Sequence, residues 1–500
     1  MKERQRGRLA PCQFPLFRFS ESRLTDHSPF MGFVMRYALW IWLVMATWGC
    51  QASLSELRPS LEEDGELYLY LQPVSQEGEG LRFSIDRIAS ITADGREIPL
   101  ELRLRDVHPT ETRRQRLLGH GLLPPGNYAG LTFKIKKAYL KGEGREVPLP
   151  LPSEVMRVDF PLSVVRKKAL TVGLTFKLKG PVAGDTDFSF VFSPFIPSRP
   201  LISRVGYVSN QGSNSLAVFN KRLGQVVAVI ATGRGPAGMA LDQRRRRLYV
   251  ALSGEDSIEV VDVQAGEILT RVRLNQGDRP QELDLTPDGK TLLTANMGSN
   301  SVSFVDPISL FELGRVTVGN GPCAVLVDPV HGRRAYIFNR LSSAVSVLDL
   351  QNRTVLTTLS TDPGPLRGAL NKRGDRLYVI HELSPFLSVF NTSTLALEKR
   401  FRVGMGIDSI QVDPRNDLIY LARKHDAVIE VRDPVSFVVV DMVATEGMIR
   451  QMAIDGEENR LYVVSERQER VIASSLVSNK KVYEIDVGHA PYGIRLMGER

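Results

Sequence analysis

From residue 205 onward one hydrophobic position, usually aromatic, returns every 42 to 44 residues: Tyr207, Tyr249, Leu292, Tyr336, Tyr378, Tyr420 and Tyr462. Self-similarity at such a period makes each unit one supersecondary element that buries its apolar face only against its neighbours. After each anchor a second strand ends at Asn220, Asp262, Asp306, Asp349, Asn391, Asp433 or Ser475. Asp and Asn at such a place accept the backbone N–H two residues on and seed a tight turn. A third strand follows, as in VVAVIATG and LEKRFRVG, and then a Gly-containing loop that leads to Pro236, Pro280, Pro322, Pro365, Ile407, Ile449 and Pro491. A fourth strand runs into turns such as TPDGK or DPRND before the next anchor. Four short strands per unit of this length are one propeller blade, and seven anchors predict seven blades.

The two ends of the repeat region are complementary. The first unit opens on Val205–Asn210 with no inner strand before it, and HAPYGIRLMGER is an inner strand with nothing after it. Pairing the two is expected to complete a blade from both termini, a strand exchange that leaves no open edge in the ring. The wording LYVAL…DSIEVVDVQAGEILTRV…RPQELDLTPDGK resembles the YVTN family of β-propeller repeats over residues 205–497. The departures are Leu292 in place of Tyr, and Ile407 and Ile449 in place of the loop Pro. The resemblance implies an exported binding or surface protein.

Ahead of the repeats, residues 63–193 alternate apolar and polar residues in ELYLYLQ, LRFSIDRI, YAGLTFKIKKAYL and LTVGLTFKLKG, as half-buried strands require. Turn signals at Asp94-Gly95, Pro124-Pro125-Gly126-Asn127, Lys141-Gly142 and Gly180-Pro181 separate about eight strands, which predicts a β-sandwich. LPPGNYAGLTF is similar to a turn and strand of transthyretin-like and immunoglobulin-like modules. Pro194, Pro197 and Pro200 then stiffen a linker over 194–204. The fold class expected is therefore all-β, an N-terminal β-sandwich followed by a seven-bladed propeller over 205–500.

The first 49 residues read as an address. YALWIWLVMATWG (37–49) is too short to span a bilayer comfortably but suits the apolar core of a signal peptide behind Met35-Arg36, with Met31 or Met35 as the start. Cys50 follows directly, and a polar tether over 50–62 comes next. The arrangement resembles a bacterial lipoprotein signal, in which Cys50 becomes the lipidated first residue; the other readings are an uncleaved anchor or, with the long start, a buried helix. The expected location is the cell envelope, periplasmic or at the outer membrane or cell surface. Only Cys12, Cys50 and Cys323 occur, so a mature monomer with an acylated Cys50 has no disulfide, and Cys323 reads as a buried small hydrophobe.

Charge narrows the partners. Of the net +8, residues 1–49 supply +4 from seven Lys/Arg against three Asp/Glu. The cluster Arg244–Arg247 falls on a strand-to-strand turn, so nucleic acid is not an expected partner. The loops entering the inner strands and those joining second to third strands share one rim, the usual ligand approach. There the later blades carry His381, Glu382, Arg423, His425, Asp426, Glu446, Arg450 and His489. This rim is the candidate site for an envelope protein, a glycan or a small polar ligand, with Arg423 and Arg450 as donors to carboxylate or phosphate. No CxxC is present for haem attachment, no HxH or HExxH for a metal, and all three Trp lie in the signal segment, so no cofactor is expected. The leading reading is recognition rather than catalysis. The rival is a lactonase-like hydrolase at the channel mouth, with His425 or His489 as general base.

Overall fold

The computed structural model describes residues 58–73, 81–108, 113–141, 146–148, 155–179 and 189–498. The signal segment, Cys50 and most of the tether lie outside the described residues. The chain is all-β, and its one short helical turn among these residues is Ile202–Arg204. None of the described helices is long and apolar enough to cross a membrane.

Seven four-stranded antiparallel sheets follow one another from Val205 to Leu496. Blade 1 holds Val205–Asn210, Ser215–Asn220 and Gln225–Ala231, with Pro491–Leu496 antiparallel to Val205–Asn210, Tyr207 opposite Arg495 and Val208 opposite Ile494. Blades 2 to 7 are contiguous in sequence and start at Pro236, Pro280, Pro322, Pro365, Ile407 and Ile449. The chain is thus a β-propeller repeat protein. The anchors Tyr207, Tyr249, Tyr336, Tyr378, Tyr420 and Tyr462 are all at most 2% exposed, and Leu292 is fully buried in the Tyr place.

The turn chemistry repeats as faithfully as the anchors. At the end of the strand that follows each anchor strand, the side chains of Asn220, Asp262, Asp306, Asp349, Asn391, Asp433 and Ser475 each accept the N–H of the residue two further on, at 2.7 to 3.2 Å. Local side-chain bonds of this kind stop a strand and start the next one.

Among the described residues the N-terminal region forms ten strands, against about eight expected. Their main order is Ser189–Phe195, Ala169–Lys179, Gly65–Leu71, Arg116–Leu123, Glu97–Leu102, Leu81–Thr92, Gly126–Lys141 and Glu146–Pro148. Gly65–Leu71 runs parallel to Ala169–Lys179 and is buried along its whole length. Period-2 alternation sends Leu67, Leu69 and Leu71 into the domain's own core, while Tyr68 and Tyr70 join Phe219, Val226, Val229 and Tyr462 of the propeller. A strand read as half-buried is therefore shared between two cores.

That second core explains an anomaly in the repeats. The outermost strands of blades 2 to 6 are largely exposed, as in LEKRFR, whereas QVVAVIA of blade 1 is almost wholly buried. The N-terminal domain covers it. Gln115 accepts the Val226 N–H at 2.7 Å and donates to its carbonyl at 3.0 Å, and the Thr171 hydroxyl accepts the Val229 N–H at 2.9 Å. Side chains thus occupy edge groups that would otherwise invite another strand. Beside them Arg114 and Arg116 hold Asp486 of blade 7 at 2.6 and 2.7 Å. Burial works against the charge on Asp486, but the two arginines outweigh it and keep its carboxyl below the usual range.

Candidate functional site

The inner strands of a propeller line its axis and make no backbone ladder with one another, so their side chains must join the blades. Asp284 of blade 3 accepts the Val327 N–H of blade 4 at 2.7 Å. Gln411 of blade 6 donates to the Met452 carbonyl of blade 7 at 2.9 Å, and Gln451 accepts the Ile494 N–H of blade 1 at 2.8 Å. Ser209, on the second strand of blade 1, donates to the Ala237 carbonyl on the inner strand of blade 2 at 2.6 Å.

Between these ties lies a lumen of about 960 Å³, lined on the inner strands by Glu282, Asp284, Arg367, Gln411, Gln451 and Arg495. It opens among Gln243, Arg244, Pro287 and Pro329, on the turns between first and second strands, the face opposite the expected rim. Glu282 is 3% exposed and its carboxylate is shared: Oε2 accepts from Arg367 at 3.1 Å, and Oε1 stands 3.6 Å from Arg495. Gly238 makes room for that carboxylate, since a Cβ built there would meet Oε1 at 2.3 Å. Both oxygens of Asp284 accept backbone N–H groups, from Leu285 at 2.8 Å and from Val327. Burial nevertheless raises its pKa to about 6.

Toward the other end of the axis the Arg450 guanidinium lies over the Tyr492 ring at 4.5 Å, with Asp408 at 3.8 Å. Cys323 lies on this axis too, its thiol directed at the Leu366 carbonyl at 3.3 Å and pushed by burial up to about 11. A thiol of that kind stays protonated at neutral pH and is a poor nucleophile.

The eight rim residues take several different roles. His381 is 1% exposed, with Nδ1 2.9 Å from the Phe386 carbonyl. It ends the second strand of its blade where Asn210, Asn296 and Asn339 end theirs, and the Asn339 amide likewise donates to a backbone carbonyl, of Ala344. Burial lowers the His381 pKa, which favours the neutral ring. Glu382 receives a two-pronged bond from Arg340 of blade 4, both arms at 2.5 Å, which holds its carboxyl low. Arg423 donates to the Val403 carbonyl and pairs with Glu430 at 2.6 Å, with Asp426 at 3.4 Å. His425 and Asp426 are exposed. Glu446 pairs with Lys481 at 2.9 Å on an outer strand, and His489 reaches Glu469 at 2.5 Å beside the N-terminal domain. Only Arg450, with Glu382 near it electrostatically, belongs to the axis. Among the described residues no three His, Cys, Asp or Glu side chains stand close enough to hold a metal ion.

Glu282, Arg367 and Arg495 lie on inner strands, away from the loops that carry the expected rim. The signal was present in the inner strands, where QELDL, PLRGAL and YGIRL carry charges at places occupied by Gly, Ala, Leu, Ser or Gln in other blades.

No family model matches the chain. Among curated proteins it is 27% identical over 178 residues to the uncharacterized protein YncE of Salmonella typhi, covering 35% of this chain and 50% of that protein. YncE of Salmonella typhimurium matches at the same level. The chain thus spans half the length of these curated relatives. Among solved structures, a functionally unknown protein from Desulfotomaculum acetoxidans superposes with a TM-score of 0.52 at 13% identity, over 60% of this chain and 100% of that one. At that identity the likeness concerns the fold alone.

Proposed function

We propose that this protein is an exported, lipid-anchored envelope protein whose YVTN-type propeller binds a small polar ligand in its axial lumen without transforming it. The observation that carries the reading is the Arg367–Glu282–Arg495 cluster, a charged constellation on the wall of an axial lumen that opens at one face of the ring. An ion pair costs desolvation wherever it is buried, so a fold needing only stability is better served there by packed aliphatics. In this reading Cys50 carries the lipid and the N-terminal strands are a two-layer sandwich braced against blade 1. Pairing of Pro491–Leu496 with Val205–Asn210 serves to lock the ring.

Native mass spectrometry of the protein released from envelopes in mild detergent tests the binding. A small molecule of fixed mass is expected to stay with the chain. Ligand-free protein in every preparation, together with lactone or ester hydrolysis lost in His425→Ala or His489→Ala, would replace this reading with the hydrolase. Cys50→Ala is expected to move the protein from the membrane to the soluble fraction, and continued membrane retention would remove the lipid anchor.

A further inference from the structure

Resting on the lumen as the binding place, we propose that its ligand is a small oxyanion, a carboxylate or phosphate held between Arg367 and Arg495. Hydrogen-bond accounting on the lumen wall points that way. Each guanidinium carries five N–H donors. Among the described residues the one hydrogen-bond partner of Arg367 is Glu282, and that of Arg495 is the Ile494 carbonyl at 2.9 Å. Most donors of both residues remain for a ligand. Of the two lumen carboxylates, Asp284 has both oxygens bonded to backbone N–H groups, and Glu282 Oε1, 3.6 Å from Arg495, is buried without a hydrogen-bond partner among the described residues.

Access and field agree with this sign. Arg367 and Arg495 sit on different blades, 14% and 22% exposed, and both reach the single carboxylate between them. Glu282 therefore stands between two planar forks and takes up one N–H of Arg367, while Asp284 adds its field at Arg495. A pre-set pair of forks suits the geometry of a carboxylate or phosphate better than that of a neutral sugar or an amine. Exposed Arg244 stands at the mouth and adds positive potential along the entry path. Arg340 shows the contrast: Glu382 takes two of its N–H groups at 2.5 Å, leaving a closed pair.

Isothermal titration of the full chain with citrate, inorganic phosphate, glucose and spermidine tests the assignment. Citrate or phosphate is expected to bind saturably and to weaken at least about tenfold in Arg367→Gln and in Arg495→Gln. Arg400→Gln, on an outer strand, is the control for a general change of charge. Arg495→Gln gives up one bond to a neighbouring carbonyl and keeps the test valid if Arg367→Gln unfolds. Anion binding that is absent in the wild type, or equal in the variants, overturns the oxyanion assignment. Binding of glucose or spermidine alone overturns it while leaving the lumen as a ligand site; retention of no probe and no native ligand removes both.

Discussion

The Lys221 ammonium lies 2.5 Å from the Asp455 carboxylate, and neither side chain is more than 1% exposed. Lys221 also donates to the Met497 carbonyl at 2.6 Å, while its own carbonyl accepts from Arg460 at 2.6 Å. One buried lysine thus ties blade 1, blade 7 and the segment after the last strand. Removing one partner of a buried pair typically costs about 3–5 kcal/mol because the other charge is stranded. Lys221→Ala is therefore expected to lower stability by about that much in urea titration. Lys221→Met with Asp455→Leu should recover most of it, and a single variant as stable as wild type would show that this seam does not hold the ring.

Gln115 caps both backbone groups of Val226. Gln115→Ala strands a buried donor and acceptor, at a cost of about 1–3 kcal/mol. Hydrogen exchange should speed up first along Gln225–Ala231, with the outer strands of blades 3 to 6 unchanged. Uniform acceleration around the ring would contradict a local role.

Gly238→Ala places a methyl on Glu282 Oε1. Overpacking of this kind costs about 1–3 kcal/mol. The melting temperature should fall, and anion affinity should fall with it because Glu282 positions both arginines. Unchanged affinity at a lowered melting temperature would separate the glycine from the lumen.

Burial raises the pKa of Asp284 to about 6 and that of Glu259 to about 6, although Arg271 opposes the latter. Both folded values exceed those of free carboxylates, so between about pH 4 and 6 the folded state binds more protons than the unfolded chain. Their contribution to stability is thus present at acid pH and is lost as pH rises through 6. Asp284→Asn should flatten that slope by up to about 1.4 kcal/mol per pH unit relative to wild type. Urea midpoints taken from pH 4 to 7 measure it, and parallel wild-type and variant profiles would place the Asp284 pKa near its ordinary value.

Blade number was readable in the sequence because anchors and turn residues answer to local rules. A large hydrophobic anchor every 42 to 44 residues and an Asp, Asn or Ser before each last hairpin need no knowledge of the neighbouring blade. Leu292 shows the tolerance of the pattern, filling the Tyr place in the core. The lumen was not legible in the same way, since Glu282, Arg367 and Arg495 are 85 and 128 residues apart and meet only when the ring forms. The rim residues were legible as loop-borne charges, but their bonds were not. His381 and Arg423 look like loop chemistry, yet both spend hydrogen bonds on backbone carbonyls at the end of a strand. Tyr68 and Tyr70 were read as one face of a half-exposed strand because alternation reports which residues share a side and is silent on what covers it.

The ladder between Val205–Asn210 and Pro491–Leu496 joins segments almost three hundred residues apart. Such contacts are entropically late, and they slow folding relative to local hairpins. During synthesis blade 1 has to wait with one edge unpaired until every other blade has been made, and the N-terminal domain is complete long before. Its grip on Gln225–Ala231 gives the waiting blade a chaperone in the same chain, shielding one edge while the other is still unmade.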